Sequence, residues 1–522
     1  MKRTRTASHF SLKFSSGALA VVMAGAALSL FMASAEKASA EGSPAKPAEN
    51  TAPGKNPTLR RRFDYKPIDR DYWERVEKLL ADKKPLEVFE LDTPEKGAAR
   101  EEYRLGIAKA LLATDHPLHA QYILGRVASQ GVGTRQGFEA LRMIHEIAKS
   151  HPIDEIYMEE IAFELDTKVD EPESRAMIGY FKARALLKKN YPAWAQQAMG
   201  EIETPSTWSE EMQFDRTLQA LNAGDSAVAY TRFEEITTNP MARRPTVLAS
   251  KLALARLVFE RKDYKASIAT YSSIELPTRE RARSLNELAW SYYYERAYGK
   301  SLGVIRALKS RYFRPLLSPE TLLLEMLIHR ELCHYAEVKK AATDFTNHFR
   351  SVYKAIEDRQ PLENLPQFIQ MGLQEGVMQK RASAIQQARA ERRTIVKLPW
   401  DNDDEFAEVL RIGGRREKIA EAEITRMIRA RSDQIANWFL DLREQVWFLE
   451  YESSMRMIQL NDDLAERYEP PKADKTRPET IFWPVTDEAW LDELLDYEVL
   501  TRDTCKGAAP SLMMPRGRGR GR

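Results

Sequence analysis

Cysteine is nearly absent from this sequence of 522 residues, which contains only Cys333 and Cys505. Two cysteines exclude a small scaffold that is held together by several disulfides. Two alternatives remain for the pair. Either the two form one bridge in an oxidising compartment, or Cys333 is buried in a core and Cys505 is a free thiol.

Net charge is also small, because 79 basic residues nearly balance 77 acidic ones. Such a balance provides no field that would attract nucleic acid. The final Arg516–Arg522 stretch resembles an Arg-Gly tract that binds RNA, but seven residues would make only a weak, salt-sensitive contact. We therefore expect no nucleic-acid partner and interpret residues 510–522 as a disordered, solubilising Arg/Gly tail, with binding to anionic envelope polymers as the alternative.

Short catalytic motifs are missing as well. The sequence has no H-E-x-x-H, no C-x-x-C, no P-loop and no G-x-S-x-G, and its eight histidines are scattered. We therefore expect no enzyme, no cofactor and no metal site. A peptidoglycan-cleaving lytic enzyme with a helical body is the less favoured alternative, because no stretch has the mixed Gly, Ser, Asn and Tyr composition of a lysozyme-like domain.

The one long apolar run lies near the N-terminus, from Gly17 to Ala35, between a basic start and two Ala-Ser-Ala sites. This order is typical of a secretory signal peptide, which we assign to residues 1–40. An uncleaved inner-membrane anchor is the alternative, since the run is nearly long enough to span a bilayer. After cleavage we expect a periplasmic protein with no integral membrane segment. Residues 41–66, rich in Pro, Ala and Lys, are predicted to be a disordered linker.

Three successive segments, Ser250–Pro277, Arg281–Pro315 and Pro319–Tyr353, share one design. Each is predicted to form two short helices around a polar turn that carries a tyrosine. The tyrosines are Tyr264, Tyr298 and Tyr335, so the design recurs after 34 and then 37 residues. A period of this length predicts stacked helical repeats, because one hairpin cannot bury its apolar face alone.

Weaker copies of the turn occur upstream, at Leu111–His116, Leu186–Tyr191 and Leu221–Ser226. We therefore expect six or seven helical hairpins within residues 67–353. The alternative is an irregular all-helical domain with fewer true repeats.

The pattern within the repeats resembles the tetratricopeptide repeat. Leu254-Ala255 and Leu288-Ala289 supply the Leu-small pair of the first helix, and in the third unit Glu325-Met326 replaces that pair. Ser267 and Tyr271 take the matching positions of the second helix. The resemblance implies an all-α, tetratricopeptide-like α-solenoid that binds proteins or peptides.

In the tetratricopeptide family the first helix of each repeat lines a concave groove, which identifies candidate binding residues here. By alignment on Ala255 and Ala289 they are Arg256, Phe259, Asn286, Trp290, Tyr293 and Arg330. Aromatic side chains with Arg and Asn would suit an extended peptide. The alternative is that Phe259 and Trp290 are packed between repeats.

Residues 354–468 are predicted to be a long helical, coiled-coil-like region. Its second helix is expected to follow Gly413-Gly414 and to run from Arg415 to Tyr468. Within it Ile428, Ile435, Leu442 and Leu449 recur every seven residues, which predicts an apolar seam. An intramolecular hairpin is the expected use of the seam, and a homodimer through the 415–468 helix is the alternative.

Aromatic residues return in residues 469–509, which we interpret as a C-terminal cap. The segment from Trp483 through Trp490 and Tyr497 to Cys505 resembles the C-terminal signature of periplasmic tetratricopeptide proteins of myxobacteria, including those of adventurous gliding motility. The resemblance implies a non-catalytic scaffold whose partners are proteins of a cell-envelope complex, with gliding motility as the leading context. An outer-membrane assembly or envelope-maintenance factor is the alternative.

The signal peptide leads to a direct test. In an exporting bacterial host the mature chain is expected to begin at Glu41, because cleavage after Ala40 follows the second Ala-Ser-Ala site. Intact mass and N-terminal sequencing of the periplasmic protein measure this. A full-length chain that stays in the inner membrane would establish the anchor instead.

Overall fold

The computed structural model describes residues 66–92, 94, 97–165, 169, 171–202, 204–275, 278–372, 376–400, 404–459 and 497–505, with backbone only for 278–280, 370–372 and 376–384. The described residues are mostly helical and contain no strand, which confirms the all-α prediction. The predicted signal peptide, the linker up to residue 65, Trp483, Trp490 and the tail 510–522 lie outside the described residues.

Within the described residues, seven pairs of helices follow the helix Arg70–Ala81 and a short 3₁₀ helix, Pro85–Glu90. In order the helices are α1 (Arg70–Ala81), α2 (Ala98–Ala113), α3 (Pro117–Gln130), α4 (Arg135–Ser150), α5 (Glu155–Ile161), α6 (Pro172–Lys188), α7 (Pro192–Gly200), α8 (Thr207–Asn222), α9 (Ser226–Thr238), α10 (Arg244–Glu260), α11 (Tyr264–Ser272), α12 (Thr278–Tyr294), α13 (Tyr298–Leu308), α14 (Pro319–Glu331) and α15 (Tyr335–Glu357). Four more helices follow, namely α16 (Pro366–Gly372), α17 (Gly376–Ile395), α18 (Asp404–Ala430) and α19 (Ser432–Gln459).

One turn closes six of the seven hairpins. The second residue after the first helix adopts the left-handed conformation, with φ between 57° and 91°, and its amide donates to the carbonyl three residues earlier. The next amide donates five residues back, as Asp263 does to Val258, which is the Schellman pattern. The left-handed residues are Asp115, Asn190, Gly224, Lys262, Arg296 and Cys333. All six turns predicted from the sequence are therefore present.

Side-chain hydrogen bonds between the first helices of neighbouring hairpins are a second regular feature, and each joins residues about one period apart. Because hydrogen bonds across these helices recur at one offset, the hairpins follow one another in the same register. The pairs are Gln136 with Glu102, Thr207 with Glu173, Thr246 with Glu211, and Thr321 with Asn286, at separations of 34, 34, 35 and 35 residues.

The chain divides into two units at three points, one inside α10, one between α16 and α17, and one inside α18. The first contains residues up to 250 together with 375–424, and the second contains residues 251–374 together with those from 425 onward. Each unit therefore combines hairpins with helices from the later part of the chain.

In the first unit two distant carboxylates hold the later helices on the hairpins. Glu391 of α17 accepts the amides of Leu118 and His119 at 3.1 and 3.0 Å, and so caps the start of α3. Glu405 of α18 is 4% exposed and pairs with Arg100, Arg104 and Arg126. Burial raises the pKa of Glu405, but the Arg104 and Arg126 charges outweigh it and lower that pKa below its usual value.

The predicted helix over 415–468 is wrong at its start and in its continuity. Gly413 and Gly414 lie inside α18 rather than before it, and the helix breaks at Arg431. Gly413 is needed for close packing, since a Cβ there would lie 3.0 Å from the Nε2 atom of His119. Gly413 therefore permits contact with α3, and neither glycine ends a helix.

In the second unit the predicted seam packs within the chain. Phe439 is fully buried between α15 and α16, with ring centres 5.7 Å from Phe349 and 5.6 Å from Phe368. The Tyr353 hydroxyl also donates to the Phe439 carbonyl at 3.0 Å. Seam residues Ile428, Leu442 and Leu449 are buried, whereas Ile435 is half-buried. The homodimer through this region stays a prediction.

Neutralising Glu405 tests whether the returning helix stabilises the first unit. Glu405→Gln is expected to lower the local stability of α2 and α3 by about 3 kcal/mol, because the buried Arg104 guanidinium then keeps one carboxylate partner, Glu101, beside the neutral Gln130 side chain. Native-state hydrogen exchange of the α2 and α3 amides measures the change.

The matched control lies one turn further along the same helix. Glu408→Gln removes a carboxylate that pairs with the exposed Arg411, so it should cost no more than about 0.5 kcal/mol. Equal effects of the two substitutions would contradict the role assigned to Glu405.

Candidate functional site

The six residues predicted to line a groove all lie on first helices of the second unit. Arg256 and Phe259 are on α10, Asn286, Trp290 and Tyr293 are on α12, and Arg330 is on α14. The structure gives each of them partners within the chain. Their surroundings divide into an ion cluster, an aromatic cluster and a contact with α19.

Arg256 is part of an ion cluster centred on Glu287. Its guanidinium donates to both Glu287 carboxylate oxygens, at 3.0 and 2.9 Å. The same carboxylate accepts from Arg283 at 3.1 Å and from the Tyr271 hydroxyl at 2.8 Å. Burial raises the pKa of Glu287, but the two guanidinium groups outweigh it and keep that pKa below its usual value.

Asn286 links this cluster to α14. Its side-chain oxygen accepts from the Thr321 hydroxyl at 2.7 Å, and its amide nitrogen hydrogen-bonds Glu320. Burial, and after it the negative charge of Glu287, raise the pKa of Glu320 to about 7. Glu320 therefore exchanges its proton near neutral pH, where the other carboxylate of the cluster is ionised.

Phe259 and Trp290 form the buried floor of an aromatic cluster, with 7% and 6% of their surfaces exposed. Phe259 packs on Tyr264 and Tyr294, and Trp290 packs on Tyr293 and Tyr294, all with ring centres 5.4–6.2 Å apart. Tyr264 and Tyr294 are stacked on each other at 5.1 Å. The two residues thus pack between hairpins, which is the alternative that the sequence left open for them.

The solvent-facing part of this cluster consists of tyrosines. Tyr264, Tyr293 and Tyr298 are half-buried and Tyr294 is 38% exposed. They lie at the ends of first helices and the starts of second helices, on the turn side of two consecutive hairpins. We name Tyr264, Tyr293, Tyr294 and Tyr298 the turn tyrosines.

Arg330 contacts the later part of the chain. It pairs with the neighbouring Glu331 at 3.1 Å and with Glu452 of α19 at 3.6 Å. The face of α14 that carries Arg330 is therefore covered by α19 in this unit.

Cys333 and Cys505 form a disulfide, with Cα atoms 5.3 Å apart. Of the two alternatives that the sequence left open, the structure therefore shows the bridge. The bridge joins the turn between α14 and α15 to the segment 497–505. The segment 497–505 packs on Gly299 and Gly303 of α13, and the sequence analysis did not predict this contact. Small residues are common in the second helices of such repeats, so these two glycines did not stand out. Their spacing of four was the available signal, since it places both on one helix face.

The described residues contain no group of acidic, histidine or cysteine side chains that could hold a metal ion. Nor is any helix among them long and apolar enough to span a bilayer. No protein-family model matches the chain, and comparisons with curated proteins and with solved structures also give no match.

The raised pKa of Glu320 predicts a pH dependence of stability. Between about pH 4.5 and 7 the folded chain binds this proton more tightly than the unfolded chain, so its contribution to stability falls as the pH rises through that window. Glu320→Gln should therefore stabilise the protein at pH 8, by roughly 1–3 kcal/mol, and have little effect at pH 4. Urea unfolding at both pH values measures the difference.

Glu357→Gln is the control, because Glu357 is an exposed helix residue whose carboxylate pairs with the Arg443 side chain at 2.8 Å. Its effect should stay within about 0.5 kcal/mol at either pH. If Glu320→Gln destabilised the chain at pH 8, the assignment of a costly buried carboxylate would be refuted.

Proposed function

We propose that this protein is an exported, non-catalytic scaffold of tetratricopeptide type that binds protein partners in the cell envelope. The observation that carries the proposal is the repeated turn, which recurs at Asn190, Gly224, Lys262, Arg296 and Cys333 with spacings of 34, 38, 34 and 37 residues. Hairpins that repeat with this period present equivalent positions side by side, and proteins of that design use them as binding surfaces.

The packing of the two helices within a hairpin also supports the tetratricopeptide type. Small serines on second helices lie against the backbone of first helices, since Ser267 donates to the Ala255 carbonyl at 3.1 Å and Ser301 donates to the Ala289 carbonyl at 2.8 Å. Both pairs are separated by 12 residues and occupy the positions of the small-residue pattern. A larger side chain at Ser267 or Ser301 would hold the two helices apart.

Two observations support export. The first 40 residues have the basic, apolar and Ala-Ser-Ala order of a signal peptide. The Cys333–Cys505 bridge suits an oxidising compartment, because thiols of cytosolic proteins are kept reduced. A periplasmic location accounts for both.

The turn tyrosines are the surface that we propose for partner contact, in place of the buried Phe259 and Trp290. Tyrosine supplies a large contact area with few rotatable bonds and a hydroxyl that can bond a partner. The rings support one another through the stacked Tyr264–Tyr294 pair and the tilted Tyr293–Tyr298 pair at 5.9 Å. Such a rigid surface loses little side-chain entropy on binding.

The envelope process that we propose is gliding motility. It rests on the resemblance of the Trp483–Cys505 segment to periplasmic repeat proteins of myxobacteria. The partners would then be inner-membrane motor proteins and outer-membrane components that the scaffold links.

The test is a crosslinking pull-down of the mature chain from native envelopes, with partners identified by mass spectrometry. Tyr294→Ser should reduce recovery of specific partners at least about fivefold, because partner surfaces concentrate their binding energy in a few aromatic residues. Tyr312→Ser is the matched control, since Tyr312 is an equally accessible tyrosine (46% exposed) of the same unit outside the turn tyrosines.

Melting temperatures of both variants must stay close to that of the parent chain for the comparison to hold. Motility proteins lost only with Tyr294→Ser would support the proposal in full. Recovery of outer-membrane assembly proteins would replace motility by envelope maintenance, and glycan fragments without protein partners would overturn the scaffold itself.

A further inference from the structure

Residues 497–505, which we name the C-terminal strap, lie on the hairpins of the second unit with neither helical nor strand structure up to Thr504. The Val499 amide donates to the Gly299 carbonyl at 3.0 Å. The Thr504 amide and hydroxyl both donate to the Leu332 carbonyl, at 3.2 and 2.8 Å. Two of these three bonds are donated by main-chain amides, one near each end of the strap.

Two glycines of α13 let the strap approach the helix backbone. A Cβ at Gly303 would lie 1.9 Å from the Tyr497 carbonyl oxygen, and one at Gly299 would lie 2.7 Å from the Val499 carbonyl oxygen. Any other residue at Gly303 would therefore displace the strap. The two glycines form a shallow trough of bare helix backbone that fits a polypeptide main chain.

A histidine provides the third contact. The Nε2 atom of His334 lies 2.7 Å from the Arg502 carbonyl, so it must carry the proton and donate. The Nδ1 atom of His334 is then an acceptor, which the Nδ1 atom of His329 approaches to 3.4 Å. Burial lowers the pKa of His334 and that of His329, the latter to about 3, and both rings are neutral under ordinary conditions.

From these contacts we infer that the trough of Gly299, Gly303, Leu332 and His334 is a binding site for an extended polypeptide, and that the strap fills it in cis until the Cys333–Cys505 disulfide is reduced. Three of the four hydrogen bonds read the main chain of the strap, which is how extended peptides are recognised with little sequence restriction. The inference deepens the proposed scaffold function and rests on it for the class of partner, an unstructured segment of another protein.

The disulfide is the device that keeps the site filled. It holds the strap at high local concentration beside the trough, so that a free peptide cannot compete. Both cysteines are half-buried rather than enclosed, which leaves the bridge open to attack by a thiolate.

Release follows ordinary thiol–disulfide exchange with a dithiol oxidoreductase. One thiolate of the reductant attacks the bridge and forms a mixed disulfide with one cysteine, while the other cysteine leaves as a thiolate and takes up a proton. The second thiol of the reductant then attacks the mixed disulfide and releases the remaining cysteine. Two electrons and two protons pass to the chain, and the reductant becomes a disulfide.

Disulfide trapping tests the site on the full chain. A synthetic peptide with the sequence of residues 497–505 is incubated with the Cys505→Ser chain in a glutathione buffer, where a docked peptide pairs its own cysteine with Cys333. We expect this peptide to be captured at least about tenfold more than a peptide of the same composition in scrambled order with its cysteine kept last, which corresponds to about 1.4 kcal/mol of specific binding. Equal capture of both peptides would overturn the inference.

Glycine substitutions supply the structural control. Gly303→Ala should reduce capture at least about tenfold while leaving α13 folded, since alanine favours a helix. Gly200→Ala, at a helix position with no atom within 4 Å of the added Cβ, should leave capture unchanged. Capture that is indifferent to Gly303→Ala would refute the trough.

Hydrogen exchange separates release from docking. Amides of Val499 and Thr504 should exchange at least about tenfold faster in the reduced chain than in the oxidised chain, because their bonds are no longer held by the bridge. Unchanged protection after reduction would show that the strap is a permanent part of the fold. These measurements use isolated protein and do not depend on envelope partners. The trough inference can therefore fail while the pull-down still recovers partners, and the pull-down can fail while the peptide is still captured.

Discussion

The turn that reverses the chain between the two helices of a hairpin is the constraint on which the rest of the structure depends. Two nested backbone hydrogen bonds and one left-handed residue close it, and the second helix can then begin at the next residue but one. Only Gly224 adopts this conformation without cost, whereas Lys262, Arg296 and Cys333 each accept roughly 1 kcal/mol of backbone strain. The packing of neighbouring first helices, with bonds about one period apart, follows from the uniform hairpin geometry.

Buried charge is the second organising feature, and it acts over long separations in sequence. Glu391 and Glu405 hold later helices against α2 and α3 in the first unit, while Glu287 pairs with two guanidinium groups in the second. Such clusters contribute modestly to net stability because desolvation offsets most of the attraction. Their geometric demands are strict, however, so they select one way of seating the returning helices.

The two surfaces to which we assign binding arise from opposite properties. The turn tyrosines are large rings held rigid by one another above the buried Phe259 and Trp290. The trough on α13 exists because Gly299 and Gly303 have no side chains, so the main chain of the strap can approach the backbone of the helix. We propose that the first surface would distinguish a partner by its side chains and that the second would hold a partner by its main chain.

The sequence by itself determined the helical class, the six turns and the period, because each depends on residues close together in the chain. It also identified the apolar seam of Ile428, Ile435, Leu442 and Leu449, since heptad spacing is a local property, but not the break at Arg431 that divides the seam between α18 and α19. The tertiary structure alone decided that Phe259 and Trp290 are buried, that Arg256 belongs to Glu287, and that Gly413 and Gly414 continue a helix. The tertiary structure also decided that Cys505 is bridged to Cys333 rather than free. The cysteines are 172 positions apart, and a local sequence pattern does not specify which distant residue a side chain will contact.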